Sequence, residues 1–167
     1  PAYTQSGPGF AVNGDVTGAF SDHRTSNPDA GNTATYTFSG LEDGLYTVSA
    51  TWVAHFSQAG NAHFTATGTG GDILDAFVLQ RSPPDDFSEN GITWENLGTV
   101  AVSGGAGAGT VTVTLADSGA NGVIDADAVR LGRAPEIRVL DGTTEIVDGA
   151  SNVDFGSTDL GDGVTKT

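Results

Sequence analysis

The sequence has no cysteine and no methionine, and its single lysine is Lys166. Without cysteine, disulfide staples and thiolate–metal chemistry are excluded and the redox compartment stays open; the lack is compatible with a secreted bacterial protein. Six lysines and arginines face 21 aspartates and glutamates, for a formal charge of −15. Nucleic acid and anionic membrane surfaces both demand a basic patch, so neither is expected as a partner. No apolar run is long enough to span a bilayer, so membrane insertion is not expected either. With no initiator residue, signal peptide or anchor, the chain reads as a piece of a longer or processed polypeptide at an extracellular or cell-surface location.

What is present points to strands. Twenty-five glycines separate short alternating segments, and no stretch carries a helical period. Pro1 to Thr33 reads as a weak first strand and a long loop. Tyr36 and Phe38 then alternate with Thr35 and Thr37, and the turn Leu41 to Gly44 predicts a hairpin. In the next segment Tyr46, Val48, Ala50 and Trp52 share one face and Thr47, Ser49 and Thr51 the other, giving one core face and one solvent face. Ala62, Phe64 and Ala66 repeat the pattern. Ile73 to Gln80 is almost continuously apolar, which predicts a strand buried on both sides or crossing between sheets. Arg81 to Thr93 holds two prolines and reads as an exposed loop. Trp94, Leu97, Val100 and Val102 start another strand, and Val111, Val113 and Leu115 alternate with threonines. Regular short strands with turns between them predict an all-β, antiparallel jelly-roll-type β-sandwich.

Gly122 to Leu131, GVIDADAVRL, reads as the strand that closes the sheet. Asp125, Asp127, Val129 and Leu131 share one parity, so if Val129 and Leu131 face the core, Asp127 turns inward with them. A buried carboxylate is costly unless paired, hydrogen-bonded or metal-bound, and this position therefore calls for a dedicated partner. Asp117, Asn121, Asp125 and Asp127 place oxygen atoms around a glycine-containing loop, as a structural calcium ion requires, without EF-hand spacing. The competing reading is of carboxylates that cap turns or pair with Arg130, Arg133 or Arg81.

His23, His55 and His63 stand in no catalytic motif. Glu42, Asp43, Asp85, Asp86, Glu89 and Glu95 lie in or near turns, where a solvated face is the ordinary explanation, so no enzymatic role is expected. Phe56, Phe87 and Trp94 are the aromatics to weigh as sugar-stacking platforms, against the simpler view of Trp94, Tyr46 and Trp52 as core.

The series YTF (Tyr36 to Phe38), GLYTVSATW (Gly44 to Trp52), NAHF (Asn61 to Phe64), Gln80, WENLG (Trp94 to Gly98), VTVTL (Val111 to Leu115) and VIDADAVRL resembles the golvesin C-terminal-like, or xanthan lyase C-terminal-like, domain. The resemblance spans roughly residues 5 to 133. It implies a jelly-roll sandwich used as an accessory module in large secreted bacterial proteins, with carbohydrate binding often suggested and no active site carried over. Composition shifts at Gly132 to Pro135, which separates residues 1–133 from 134–167. The second stretch, with PEIRVL (Pro135 to Leu140) and VDFGSTDLG (Val153 to Gly161), is similar to the start of a choice-of-anchor D type Ig-like repeat. So short a β segment leaves Ile137, Val139, Ile146, Val153 and Phe155 to be covered, by the first domain, by the rest of a longer repeat or by a neighbouring copy. The expectation drawn first is a structural or adhesive unit contacting its neighbours head to tail, and the alternative is a carbohydrate-binding module of a polysaccharide-degrading enzyme, with extracellular glycans as partners.

Overall fold

The computed structural model describes residues 2–7, 9–12 and 18–134 in full, with the backbone of 140–141 and 144–145. The chain divides into two compact units, Pro1–Ala134 and Pro135–Thr167. In the first, β1 (Ala2–Ser6), β2 (Ala11–Val12) and a 3-10 turn (Ala19–Ser21) precede β3 (Arg24–Ser26). Then follow β4 (Thr33–Leu41), β5 (Gly44–Thr51), β6 (Ala62–Gly68), β7 (Ile73–Val78), β8 (Phe87–Glu89) and β9 (Ile92–Val102). The unit closes with β10 (Gly109–Ala116), β11 (Ile124–Ala126) and β12 (Ala128–Arg133). In the second unit β13 (Leu140–Asp141) pairs antiparallel with β14 (Thr144–Glu145). Ile137, Val139, Ile146, Val153 and Phe155 lie outside the described residues.

The first unit is an antiparallel jelly-roll-type sandwich. One sheet has the order β1-β4-β10-β6-β7, the other β12-β5-β9-β8, and a small sheet β11-β3-β2 lies beside them. Strand alternation builds the core: Val111, Val113 and Leu115 of β10 are fully buried while the threonines between them are half-buried. Ala34 and Tyr36 of β4, Phe64 of β6, Val48 and Ala50 of β5 and Val100 of β9 join the same cluster. Each fully buried valine, leucine or phenylalanine contributes about 1.5–3 kcal/mol by leaving water, and this sets the register of both sheets. Among the described residues no helix is long and apolar enough to cross a membrane.

Four local expectations need correction. The turn at Leu41–Gly44 does not make a hairpin, because β4 pairs with β1 and β10 whereas β5 pairs with β9 and β12. The chain crosses there from one sheet to the other. β7 is an edge strand, not a doubly buried one: Ile73 is 74% and Phe77 65% exposed. Within Arg81–Thr93, β8 and the start of β9 form a hairpin through Asn90 and Gly91, whose positive φ values of 53° and 80° suit a primed turn. Finally, Gly122–Leu131 is not one strand. β11 pairs with β3, the chain breaks at Asp127, and β12 pairs with β5, so parity does not carry across.

Candidate functional site

The two carboxylates of the closing segment lie in different surroundings. Asp125 is fully buried. Its Oδ2 lies 2.5 Å from His23 Nδ1 and 3.4 Å from Gln58 Nε2, and its Oδ1 accepts the Val53 N–H at 3.3 Å. The Gln80 side chain spans its backbone, accepting from the Asp125 N–H at 2.9 Å and donating to the Asp125 carbonyl at 2.7 Å. Gly122 lets the Gln58 backbone lie close to this segment, since a Cβ there would meet the Gln58 carbonyl oxygen at 2.6 Å. The carboxylate with the full set of partners is thus Asp125.

Asp127 is half-buried and takes the Ala19 N–H at 2.8 Å through Oδ2. Its Oδ1 has no partner among the described residues. Burial pushes its pKa up to about 7, with the Asp125 charge adding to the rise and the Ala19 hydrogen bond opposing it. Asp127 lines a cleft of about 790 Å³. From one sheet come Tyr3, Tyr36 and Phe38, and from the other Trp94 and Ala128–Leu131, with the β8–β9 hairpin adding Glu89, Asn90 and Ile92. Phe20 closes one side and also lines an adjoining cavity of about 330 Å³ with Asp22, Arg24 and Ala126. The larger volume falls in the range of small-ligand sites, which are concave, mostly apolar and equipped with a few polar groups.

The walls are aromatic. Tyr3 and Tyr36 stand opposite each other in the β1–β4 register, their rings edge to face at 5.2 Å. Tyr36 donates its hydroxyl to the Asp127 carbonyl at 3.2 Å, and burial holds that phenol well above the usual tyrosine range. Trp94 is only 5% exposed, yet its indole Nε1 has no partner among the described residues. A buried N–H left unpaired costs about 1–3 kcal/mol. By contrast, Trp52 Nε1 donates to the Ser82 carbonyl at 2.7 Å. Phe20 is 78% exposed at the rim and has a φ of 58°, a strained conformation for a bulky residue. Arg130 forms a forked pair with Glu89 at 2.7 and 3.0 Å and lies 5.4 Å from the Phe87 ring centroid.

The structure brings part of the expected sugar platform together. Phe87 faces Trp94 across the β8–β9 ladder, but Phe56 belongs to another loop, where it is 83% exposed and lies against His55. The four suggested calcium ligands have separate partner sets. Asp117 accepts from Ser26 Oγ and from the Gly31 and Asn32 N–H groups. Asn121 Oδ1 accepts the Gly60 N–H at 2.6 Å, and Asp125 and Asp127 have the contacts given above. Among the described residues, the acidic group whose oxygens lie within 4.8 Å of one another is Asp85, Asp86 and Glu95. Sequence reasoning missed Tyr3, Phe20, Tyr36 and Phe38 as site residues. Tyr36 and Phe38 looked like ordinary core, and Tyr3 and Phe20 lie where no periodic pattern marks a face.

The sequence profile of the golvesin C-terminal domain family matches residues 12–133. No curated protein matches the chain in sequence. Among solved structures, a Paenibacillus xanthan lyase is 26% identical with a TM-score of 0.58, covering 80% of this chain and 12% of the lyase. A Podospora anserina GH26-CBM35 β-(1,4)-mannanase is 14% identical with a TM-score of 0.51, covering 84% of this chain and 29% of the mannanase. The second likeness is one of fold. This chain therefore spans a small part of either enzyme.

Proposed function

We propose, from the premise that this chain belongs to the golvesin C-terminal domain family, that its sandwich is a non-catalytic carbohydrate-binding module of an extracellular polysaccharide-acting protein. The observation that carries this reading is the cleft of about 790 Å³, walled by Tyr3, Tyr36, Phe38 and Trp94 and bearing the polar side chains of Asp127, Glu89 and Asn90. Pyranose rings offer apolar faces to aromatic side chains and hydroxyls that both donate and accept. The likeness to part of a xanthan lyase supports the same class of partner.

The head-to-tail assembly expected first from sequence rests on side chains beyond Ala134, whereas the cleft lies wholly in the described sandwich. Glycan binding therefore takes precedence. The test is depletion of the 167-residue chain from solution by insoluble polysaccharides, with a Tyr3→Ala/Phe38→Ala variant checked for folding by circular dichroism. Binding by the parent and at least tenfold weaker binding by the variant is the expected result. Equal binding by both would move the site elsewhere, and no binding to any polysaccharide would overturn the reading.

A further inference from the structure

We infer that the smaller cavity is a carboxylate subsite built on Arg24, so that the cleft prefers a saccharide bearing a carboxylate over its uncharged counterpart; this rests on the glycan-binding reading above. The two cavities share Tyr3, Phe20, Tyr36 and Asp127, so a sugar ring held in the larger one can extend a substituent into the smaller. Arg24 lines the smaller cavity half-buried, with no hydrogen-bond or ion-pair partner among the described residues. The other described arginines are engaged. Arg81 donates to the Gln58 carbonyl and Arg133 to the Asp43 carbonyl, and Arg130 forks onto Glu89. A cation drawn partly out of water without a partner is costly, and an anionic ligand would supply one.

The fold holds Arg24 in place. β3 is the middle strand of the small sheet, where Arg24 stands opposite Ala126 of β11 on one side and Val12 of β2 on the other. Its guanidinium lies over the Tyr3 ring, 5.3 Å from the centroid. A planar guanidinium stacked on an aromatic ring keeps its N–H edge for an acceptor, and that edge matches the two oxygens of a carboxylate. Asp22 and Asp127 also line the cavity, and neither forms an ion pair with Arg24. Asp127, raised to about 7 by burial, is only partly charged at neutral pH, and Asp22 is exposed, where water and salt screen it. In the larger cavity the charge of Glu89 is offset by Arg130, whose Nη1 lies outside that pair.

Affinity electrophoresis of the 167-residue chain at physiological ionic strength separates this inference from the reading beneath it. Gels carrying polygalacturonate are compared with gels carrying the same polymer methyl-esterified, and alginate gels with β-mannan and β-glucan gels. A chain of formal charge −15 is repelled by polyanions in general, so retardation by the acidic gels requires a local site. The expected result is retardation at least fivefold stronger by the free acid than by its ester, a preference that Arg24→Gln reduces to less than twofold. Arg24→Lys, which keeps the charge and loses the fork, should fall between them. If Arg24→Gln does not fold by circular dichroism, the comparison of acid with ester on the parent and on Arg24→Lys decides. Retardation by the acidic gels no stronger than by their uncharged counterparts, or a preference that Arg24→Gln leaves intact, overturns the inference and leaves glycan binding standing. Retardation by a sulfated galactan as strong as by polygalacturonate overturns the carboxylate assignment in favour of a general anion site. Retardation by no gel overturns both readings.

Discussion

Asp125 and Asp127 are two residues apart, and the sandwich treats them in opposite ways. Asp125 is fully buried, contacts His23, Gln58 and Val53 through its carboxylate, and has its backbone bridged by Gln80. Asp127, at the break between β11 and β12, lines an aromatic cleft and keeps one buried oxygen without a partner among the described residues. A carboxylate with a full set of donors holds a fold together, whereas Asp127 lines a concave, mostly apolar site. The difference arises from the backbone. β11 follows β3 and β12 follows β5, and the residue between them is fixed by neither ladder.

The largest effect is expected on the structural side of this contrast. Asp125→Ala removes the carboxylate from the buried His23–Asp125 pair, and breaking a buried pair in this way costs about 3–5 kcal/mol. Urea denaturation measures the loss, and a change below about 1 kcal/mol would mean that the network contributes little. Next comes Asp127→Asn, with about a fivefold to tenfold loss of saccharide affinity and a fold that survives. The same variant changes the pH dependence of stability. The folded-state pKa of Asp127 lies near 7, above its ordinary 3.8, so the folded protein holds this proton more tightly than the unfolded chain. Its contribution is fully present below about pH 4 and is lost as the pH rises towards 7. Asp127→Asn should flatten this part of the stability profile; an unaltered slope between pH 4 and 7 would show that the carboxyl titrates normally.

A smaller effect sharpens the contrast at the rim. Phe20→Gly removes a left-handed aromatic and should stabilise the sandwich by about 1 kcal/mol while weakening saccharide binding. A loss of stability with unchanged binding would make Phe20 a packing residue. Least is expected from Glu89→Gln, whose forked pair with Arg130 is exposed and screened by solvent, so the urea midpoint should stay where it is; a clear shift would make the pair structural.

Most of the sandwich was legible because β4, β5, β6 and β10 alternate cleanly, and alternation names the buried face without knowledge of the partner strand. Partner identity was not legible. The sequence Leu41–Gly44 turns the chain whichever sheet receives it, and the apolar run Ile73–Val78 does not show that its strand lies at an edge. Pro83 and Pro84 drew attention away from Asn90-Gly91, the clearest two-residue hairpin signal in that region. At the site, an inward-facing Asp127 was foreseeable from its parity with Val129 and Leu131, although the break in the strand removes the reason. Trp94 could be named as an aromatic of interest, but its unpaired indole is a property of the tertiary structure. Tyr3 and Phe20 come from a segment without periodicity, and only the pairing of β1 with β4 brings Tyr3 opposite Tyr36.

The two tryptophans provide the most direct test of the cleft. In a ¹H–¹⁵N correlation spectrum the indole of Trp52, bonded to the Ser82 carbonyl, is an internal control for the indole of Trp94 in the cleft wall. Titration with neutral mannan and glucan oligosaccharides should move the Trp94 indole signal and leave that of Trp52 in place. A Trp94 signal that stays fixed while other resonances report sugar binding would contradict the assignment of this cleft as the binding site.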